Sequence, residues 1–274
     1  LIYGIAAMAL QLVLGRGGLV CFGFAAFMGI GAYAVGIPYV HRLEEGLVVF
    51  PLAAAAAGLF AFGTGWIALR TRGVYFIMIT LAFGQMAYYF ATSLSTYGGD
   101  DGLTLWTRSP VAGSGLLEDD RAFYWLCLAA FAGTWLLIRA VSRSRFGRAL
   151  DGARQNEARM RALGFDVFRL RLWAYALAGA LGGIAGALLA NHAEFVSPAY
   201  MDWRRSGELI IMVVIGGFAS LSGAAGGALA LVALEEALSH WTEHWRLVLG
   251  ALVLLVALVA RDGVAGALAR WRGA

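Results

Sequence analysis

The sequence contains no lysine, and all 21 of its basic residues are arginine. A phosphate-binding loop of the GxxxxGK[ST] kind is therefore excluded, and with it nucleotide hydrolysis by this chain alone. Charge of either sign is scarce. Only 14% of the 274 residues are charged, against roughly a quarter in an ordinary soluble domain. Cysteine is limited to Cys21 and Cys127. Each lies within an apolar run without a metal-ligating neighbour, so both read as small packing residues. No cofactor or metal is expected. The arginine-only usage, with abundant Ala and Gly, fits a GC-rich bacterial genome.

What is present is apolar surface. Hydrophobic residues make up 61% of the chain, more than a soluble fold can hide, and they come in long runs. A spanning helix needs about 20 mostly apolar residues. Such stretches are read at 1–14, 19–40, 47–69, 73–94, 122–141, 170–192, 207–222 and 224–240, with a ninth at 246–260. The pair 207–222 and 224–240 is short, and reads either as two tilted helices or as a broken pair turning at Ser222-Gly223. The runs are continuous rather than alternating, which favours helices over a barrel. The expected fold is all-α: a polytopic membrane protein of eight or nine transmembrane helices, forming one domain over 1–274. Leu1 lies inside an apolar run, so that span reads as cut short, and no cleavable signal peptide is read.

The densest charge lies between 139 and 171, with nine arginines against Asp151, Glu157 and Asp166. Basic loops stay in the cytoplasm, which places this loop inside. Alternation then puts Arg16, Arg70, Arg72 and the tail with Arg261, Arg270 and Arg272 inside. Outside fall the loops 41–46, 95–121, 193–206 and 241–245. Only Arg42, Arg108, Arg121, Arg204, Arg205 and Arg246 lie on the outer side, 6 of the 21. The net charge of +4 is accounted for by this asymmetry, and no nucleic-acid partner is expected. Glycines four apart, Gly179/Gly183, Gly182/Gly186 and Gly223/Gly227, suit close helix packing, with gating pivots as the alternative.

The stretch 146–164 within the loop 142–169 reads as one amphipathic helix. Phe146, Ala149, Leu150, Ala153, Met160 and Leu163 recur at three- and four-residue steps. Glu157 and Arg161 form a helix-supporting pair. Gly164 closes the helix in a left-handed cap, and Asp166 starts the next. Such a helix either rests on anionic lipid or docks into a groove on a soluble partner. The interruption of the stripe by Glu157 favours the groove.

Glu157-Ala158 followed by Gly164 resembles the EAA-type loop of bacterial ABC importer permeases, with Arg159 in place of a second alanine and one extra residue before the glycine. The fuller match is to LivM-type permeases of branched-chain amino acid transport systems. It rests on Gly-Leu-Val-Cys-Phe-Gly-Phe-Ala-Ala-Phe-Met-Gly-Ile-Gly-Ala-Tyr (18–33), Arg-Gly-Val-Tyr-Phe-Ile-Met-Ile-Thr-Leu-Ala-Phe-Gly-Gln-Met (72–86), Gly-Gly-Asp-Asp-Gly-Leu (98–103), and further segments at 144–164, 206–217 and 261–266. Phe24 stands where many relatives carry His. The resemblance implies a permease subunit in the bacterial inner membrane. It pairs with a second, LivH-like permease, with two ATP-binding cassette ATPases and with an extracytoplasmic amino-acid-binding protein. It also implies that the loop is a coupling helix. Phe146, Leu150, Met160 and Leu163 would grip the ATPase, Glu157 and nearby arginines would set the register, Ala158 and Gly164 would complete the docking set, and a proline near Ala158 would abolish uptake.

Polar groups within spans mark candidate path residues: Thr80, Gln85 and Glu208. Asn191, His192, Glu235 and Glu236 read as interfacial. His240 and His244 have metal-binding spacing on a helix, but Trp241 and Trp245 beside them suit an aromatic belt. Urea and short-amide permeases resemble the same subfamily and stay open as alternatives. An ion-coupled secondary transporter would need mid-span carboxylates and an internal repeat, and neither is read.

Overall fold

The computed structural model describes residues 1–41, 45–110, 117–218 and 220–240, together with 247 and 250. The expected ninth span at 246–260, the loop 241–245 with His244, and the tail arginines lie outside the described residues. So do Arg42 and Glu44.

The apolar runs fold as helices. In chain order these are α1 (Ile2–Gln11, continued by a π turn at Leu12–Arg16), α2 (Phe24–Val40), α3 (Gly46–Ala68), α4 (Val74–Ser93), α5 (Asp120–Arg143), α6 (Arg145–Gln155), α7 (Glu157–Ala162), α8 (Val167–Ala193), α9 (Trp203–Gly216) and α10 (Leu221–Ser239). Five of them, α3, α4, α5, α8 and α10, are long and apolar enough to cross a membrane, while the apolar stretches Ile2–Arg16 and Phe24–Val40 are shorter. At 14 residues, α9 is about 21 Å long, short of a roughly 30 Å hydrocarbon core. Helices α4 and α5 expose Met78, Met86, Phe90, Trp125 and Leu136, a face suited to lipid.

At the centre stand α8 and α1. Gly4 to Gly15 are all buried, and α8 is packed by α2 and α3 through its glycines. A methyl on Gly186 would lie 1.8 Å from the Met28 carbonyl oxygen, and one on Gly183 would lie 2.4 Å from that of Ala53. Without side chains there, backbones touch. The Gly223/Gly227 pair works the same way: Gly227 meets the carbonyl of Met212, and Gly216 meets that of Gly223. These contacts make α9 and α10 an antiparallel hairpin.

Two boundaries differ from the sequence reading. The turn between α9 and α10 falls at Gly217, which holds φ +99°, with Ser220 as the N-cap of α10. Ser222 and Gly223 are inside the helix. The reason is that Gly217 alone there adopts a left-handed backbone without penalty, while Ser220 supplies the cap. The second difference concerns 19–40, of which only Phe24–Val40 is helix. Gly23 packs on the carbonyl of Thr80, seven residues into α4, so α2 starts well below the helix end. Its approach, 17–23, is irregular backbone, partly buried from Leu19 onward. Leu19 N–H donates to the Val13 carbonyl (3.1 Å), Phe22 N–H to Thr80 Oγ1 (3.3 Å), and Ala25 N–H to Ser206 Oγ (2.9 Å). Irregular backbone at membrane depth is tolerated on these terms.

The two ends of the bundle are built differently. At the arginine-rich end, Arg16 pairs with Asp151 and Arg72 with Glu157 (2.8 Å). At the other end, β1 (Leu103–Thr104) pairs antiparallel with β2 (Phe195–Val196). There Gly46 N–H donates to the Pro110 carbonyl (2.7 Å) and Ser109 N–H to Asn191 Oδ1 (2.9 Å). Among the described residues, the loops group at the two ends as the charge reading has them.

Candidate functional site

The segment between α5 and α8 is the site with most built-in structure. Ser144 caps α6, accepting from Gly147 N–H (3.3 Å). The helix then stops at Asn156, which is extended (φ −153°, ψ 97°). One helix over 146–164 was expected, and two are found. Asn is a strong N-cap and a poor helix interior residue, and here its side chain accepts from Arg159 N–H (2.9 Å) to start α7. The break folds α7 back, so that a methyl on Gly152 would meet Met160 Sδ at 2.9 Å. Gly164 (φ +86°) closes α7. Its N–H reaches the Arg161 carbonyl (2.9 Å) and that of Phe165 reaches Met160 (3.1 Å), the Schellman pattern. Asp166 caps α8 through Arg169 N–H (3.1 Å).

The expected docking residues separate into two sets. Leu150 has no exposed surface, Ala149 and Ala153 are buried, and Phe146 packs against the same core. The apolar stripe of α6 thus faces the chain's own spans, which corrects the reading of Leu150 as an outward anchor. Apolar area leaves water most readily against the nearest apolar surface, and α5 and α8 provide it. Met160 is half-buried against Gly152. Ala158 and Gly164 are exposed, and Leu163 is 64% exposed. Beside it stands Phe165, 46% exposed. Sequence reading missed Phe165, although an apolar residue directly after a left-handed glycine is the signal for it.

Glu157 is the junction of this segment. Its Oε1 accepts from Arg72 Nη2 (2.8 Å) and from Arg161 Nη2, and its Oε2 from Arg171 Nη1 (3.1 Å). Its side chain is only 18% exposed. One carboxylate therefore ties α7 to the α3–α4 turn and to α8, while Asp151 ties α6 to the π turn through Arg16. Isolated surface pairs are worth about 0–1 kcal/mol, but a half-buried carboxylate shared by three guanidinium groups is charge-assisted and positioned.

Of the candidate path residues, Thr80 is 1% exposed. It accepts from Phe22 N–H and donates to the Ile77 carbonyl (2.9 Å). Its acceptor side serves the irregular approach to α2, and its donor side the backbone of α4 itself. Gln85 is half-buried, and its side chain makes no hydrogen bond to a described residue. Glu208 pairs with Arg205 (2.9 Å), both about half exposed. Nearby Tyr200 donates to the Phe195 carbonyl (3.3 Å). Burial pushes its pKa up, with Tyr3 adding to the shift and Arg205 opposing it. Asn191 is fully buried, not interfacial, because its amide holds Ser109 N–H and the Ala187 carbonyl together. Gln11, also fully buried, was missed. It donates to the Phe218 carbonyl (3.1 Å) in the α9–α10 turn, and its signal was a lone amide in an apolar run. A cleft of about 710 Å³ lies between α2, α3 and α4, lined by Tyr33, Ile37, Leu52, Phe60, Thr64 and Phe90 among others. The Tyr33 hydroxyl is buried without a partner among the described residues.

A model of the family described as "Branched-chain amino acid transport system / permease component" matches residues 1–258. The chain belongs to this permease family. The permease is similar to the high-affinity branched-chain amino acid transport system permease protein LivM of Salmonella typhimurium and to that of Escherichia coli. Each is 27% identical over 288 residues, covering 96% of this chain and 68% of the relative. It is also similar to the probable LivM of Methanocaldococcus jannaschii, at 29% identity over 47% of this chain and 37% of that one. No solved structure matches significantly. The permease is a multi-pass inner-membrane transport component.

Proposed function

We propose that this permease is one of two membrane subunits of an ATP-driven importer of branched-chain amino acids. In this reading a second, LivH-like permease supplies the other half of the pathway. Two ATP-binding cassette ATPases drive it, and an extracytoplasmic binding protein delivers the substrate. The observation that carries the reading is the family match over 1–258, supported by the LivM relatives along 96% of the chain. The chain's own chemistry agrees, since without lysine it has no phosphate loop and needs an external engine.

The whole chain, 1–274, acts as the permease domain, and 142–169 is its coupling segment on the cytoplasmic side. Leu163, Phe165, Ala158 and the arginines around them offer the ATPase an apolar tip with a basic rim. The α6 face with Leu150 stays on the spans, and Phe146 and Met160 brace it. Glu157 and Asp151 pass displacement of the tip to α8, to the α3–α4 turn and to the π turn after α1. The apolar cleft between α2, α3 and α4 offers the type of surface a leucine-like side chain takes. Gln85, with a free amide on α4, and Glu208 are retained as path residues, whereas Thr80 serves the backbone.

Uptake of labelled leucine by the complete complex in proteoliposomes tests the proposal. ATP-dependent accumulation is expected, and its absence with intact ATPase activity overturns the substrate. A proline variant tests the coupling segment. Ala158 is the second residue of α7, where proline is tolerated, so the disruptive position is the helix end at Ala162. Ala162→Pro is expected to abolish uptake while the protein stays in the membrane. Normal uptake by that variant rules out coupling at α7.

A further inference from the structure

A second cavity, of about 290 Å³, opens at the arginine-rich end, where the π turn after α1, the end of α5 and the start of α10 meet. Arg16, Arg139, Arg143, Ser142, Ser220 and Ser222 line it, with Trp135 and Leu221. No carboxylate is among these lining residues. Three arginines and three serines therefore line one cavity, and only Arg16 among them has a carboxylate partner among the described residues.

The polar atoms are not all satisfied. Ser142 is 8% exposed and its hydroxyl has no hydrogen-bond partner among the described residues. Arg16 gives one Nη to Asp151, while its Nε is buried without a partner among the described residues. Arg139 lies over the Trp135 ring, 4.7 Å from the centroid, and pairs with no described carboxylate. The 19-residue α10 begins here, with Ser220 accepting from Gly223 N–H (3.0 Å) and meeting Ser222 Oγ at 3.0 Å. Its positive end adds to the field. A buried polar group without a partner costs about 1–3 kcal/mol, so this arrangement is one that a ligand relieves. The set fits an oxyanion with several acceptor oxygens: arginine forks match phosphate, and helix N-termini favour it.

The depth of the cavity identifies the source. Its arginines stand at the ends of membrane-crossing elements, on the side that the arginine bias makes cytoplasmic. Beside them α5 exposes Leu136 and Leu137. Basic pockets between spans at that level are where anionic lipid headgroups sit. We infer that this cavity binds a phosphate group, and that the group belongs to an anionic phospholipid of the inner leaflet. Arg16 also holds Asp151 of α6, so the lipid bears on the residue that anchors the coupling segment.

The test uses the complete complex, purified in mild detergent and stripped of lipid. Phosphatidylglycerol, phosphatidylethanolamine and inorganic phosphate are added separately. Native mass spectrometry reads retained lipid, and thermal unfolding reads protection. Phosphatidylglycerol is expected to be retained and to protect, phosphatidylethanolamine much less. Arg139→Gln is expected to weaken retention roughly tenfold, the scale of one charge-assisted contact. Ser142→Ala removes an unpartnered hydroxyl, so without a ligand it leaves stability unchanged or raised, whereas lower phosphatidylglycerol retention in this variant supports the site. Equal retention of both lipids, unchanged by either variant, overturns the site. Protection by inorganic phosphate equal to that by phosphatidylglycerol supports the phosphate chemistry and overturns the lipid as its source.

Discussion

The two ends of this permease are fastened by different forces. At the end away from the arginine-rich loop, backbone pairing leads, in the β1–β2 ladder and Gly46 to Pro110, joined by the Asn191 side chain on Ser109 N–H and by Arg108 on Asp120 (2.8 Å) and Glu194 (3.4 Å). At the arginine-rich end the links are ion pairs, three on Glu157 and one on Asp151. Backbone bonds lock a register and lose most of their value when displaced. Ion pairs between long side chains keep part of their attraction over a few ångströms. The first arrangement suits a fixed frame, the second an element that moves while staying attached.

The largest expected effect tests the frame shared by both ends. Gly186→Val drives a side chain into the Met28 carbonyl, 1.8 Å from where its Cβ would lie. A loss of at least about 3 kcal/mol is expected, seen as failure to recover folded protein from the membrane. Next comes the frame end itself. Asn191→Leu leaves Ser109 N–H buried and unpaired, at a cost of about 1–3 kcal/mol, and a lower melting temperature with retained uptake per folded complex is expected. For the ion-paired end the expectation is inverted. Glu157→Gln, which keeps a hydrogen-bonding group but not the charge, is expected to cost about 1–2 kcal/mol in melting, yet to cut uptake roughly tenfold while ATPase activity persists. Should Glu157→Gln melt far earlier and Asn191→Leu spare stability but stop transport, the division into frame and mover is wrong. The smallest effect sharpens the comparison. Thr80→Val removes the acceptor for Phe22 N–H and should cost about 1–2 kcal/mol by thermal unfolding, with no change in substrate preference if Thr80 serves only the backbone.

Much of the fold was legible from local signals. Apolar runs marked the helices, and arginine bias sorted the loops by end. Gly98, Gly99 and Gly102, in a Gly- and Asp-rich outer loop, all hold positive φ. Asp166 and Gly164 act as the caps they were read to be. The site was less legible. The stripe of α6 was visible, but a stripe does not say what it faces, and Leu150 faces its own chain. Asn156 was a cap signal passed over because the three- and four-residue steps ran through it. Gln11 and Asn191 were partnered by residues that no window of sequence brings near.

The sequence by itself determined the medium and the segments. Hydropathy, capping and charge bias act within a turn or within one loop, so they are written where they act. Tertiary structure decided which faces are buried, where α2 begins, and that Glu157 belongs to three elements at once. Its partner Arg72 is 85 residues away, and Gln11 meets Phe218 across 207. Contacts at such separations depend on how helices stack, and only packing of the whole bundle sets that.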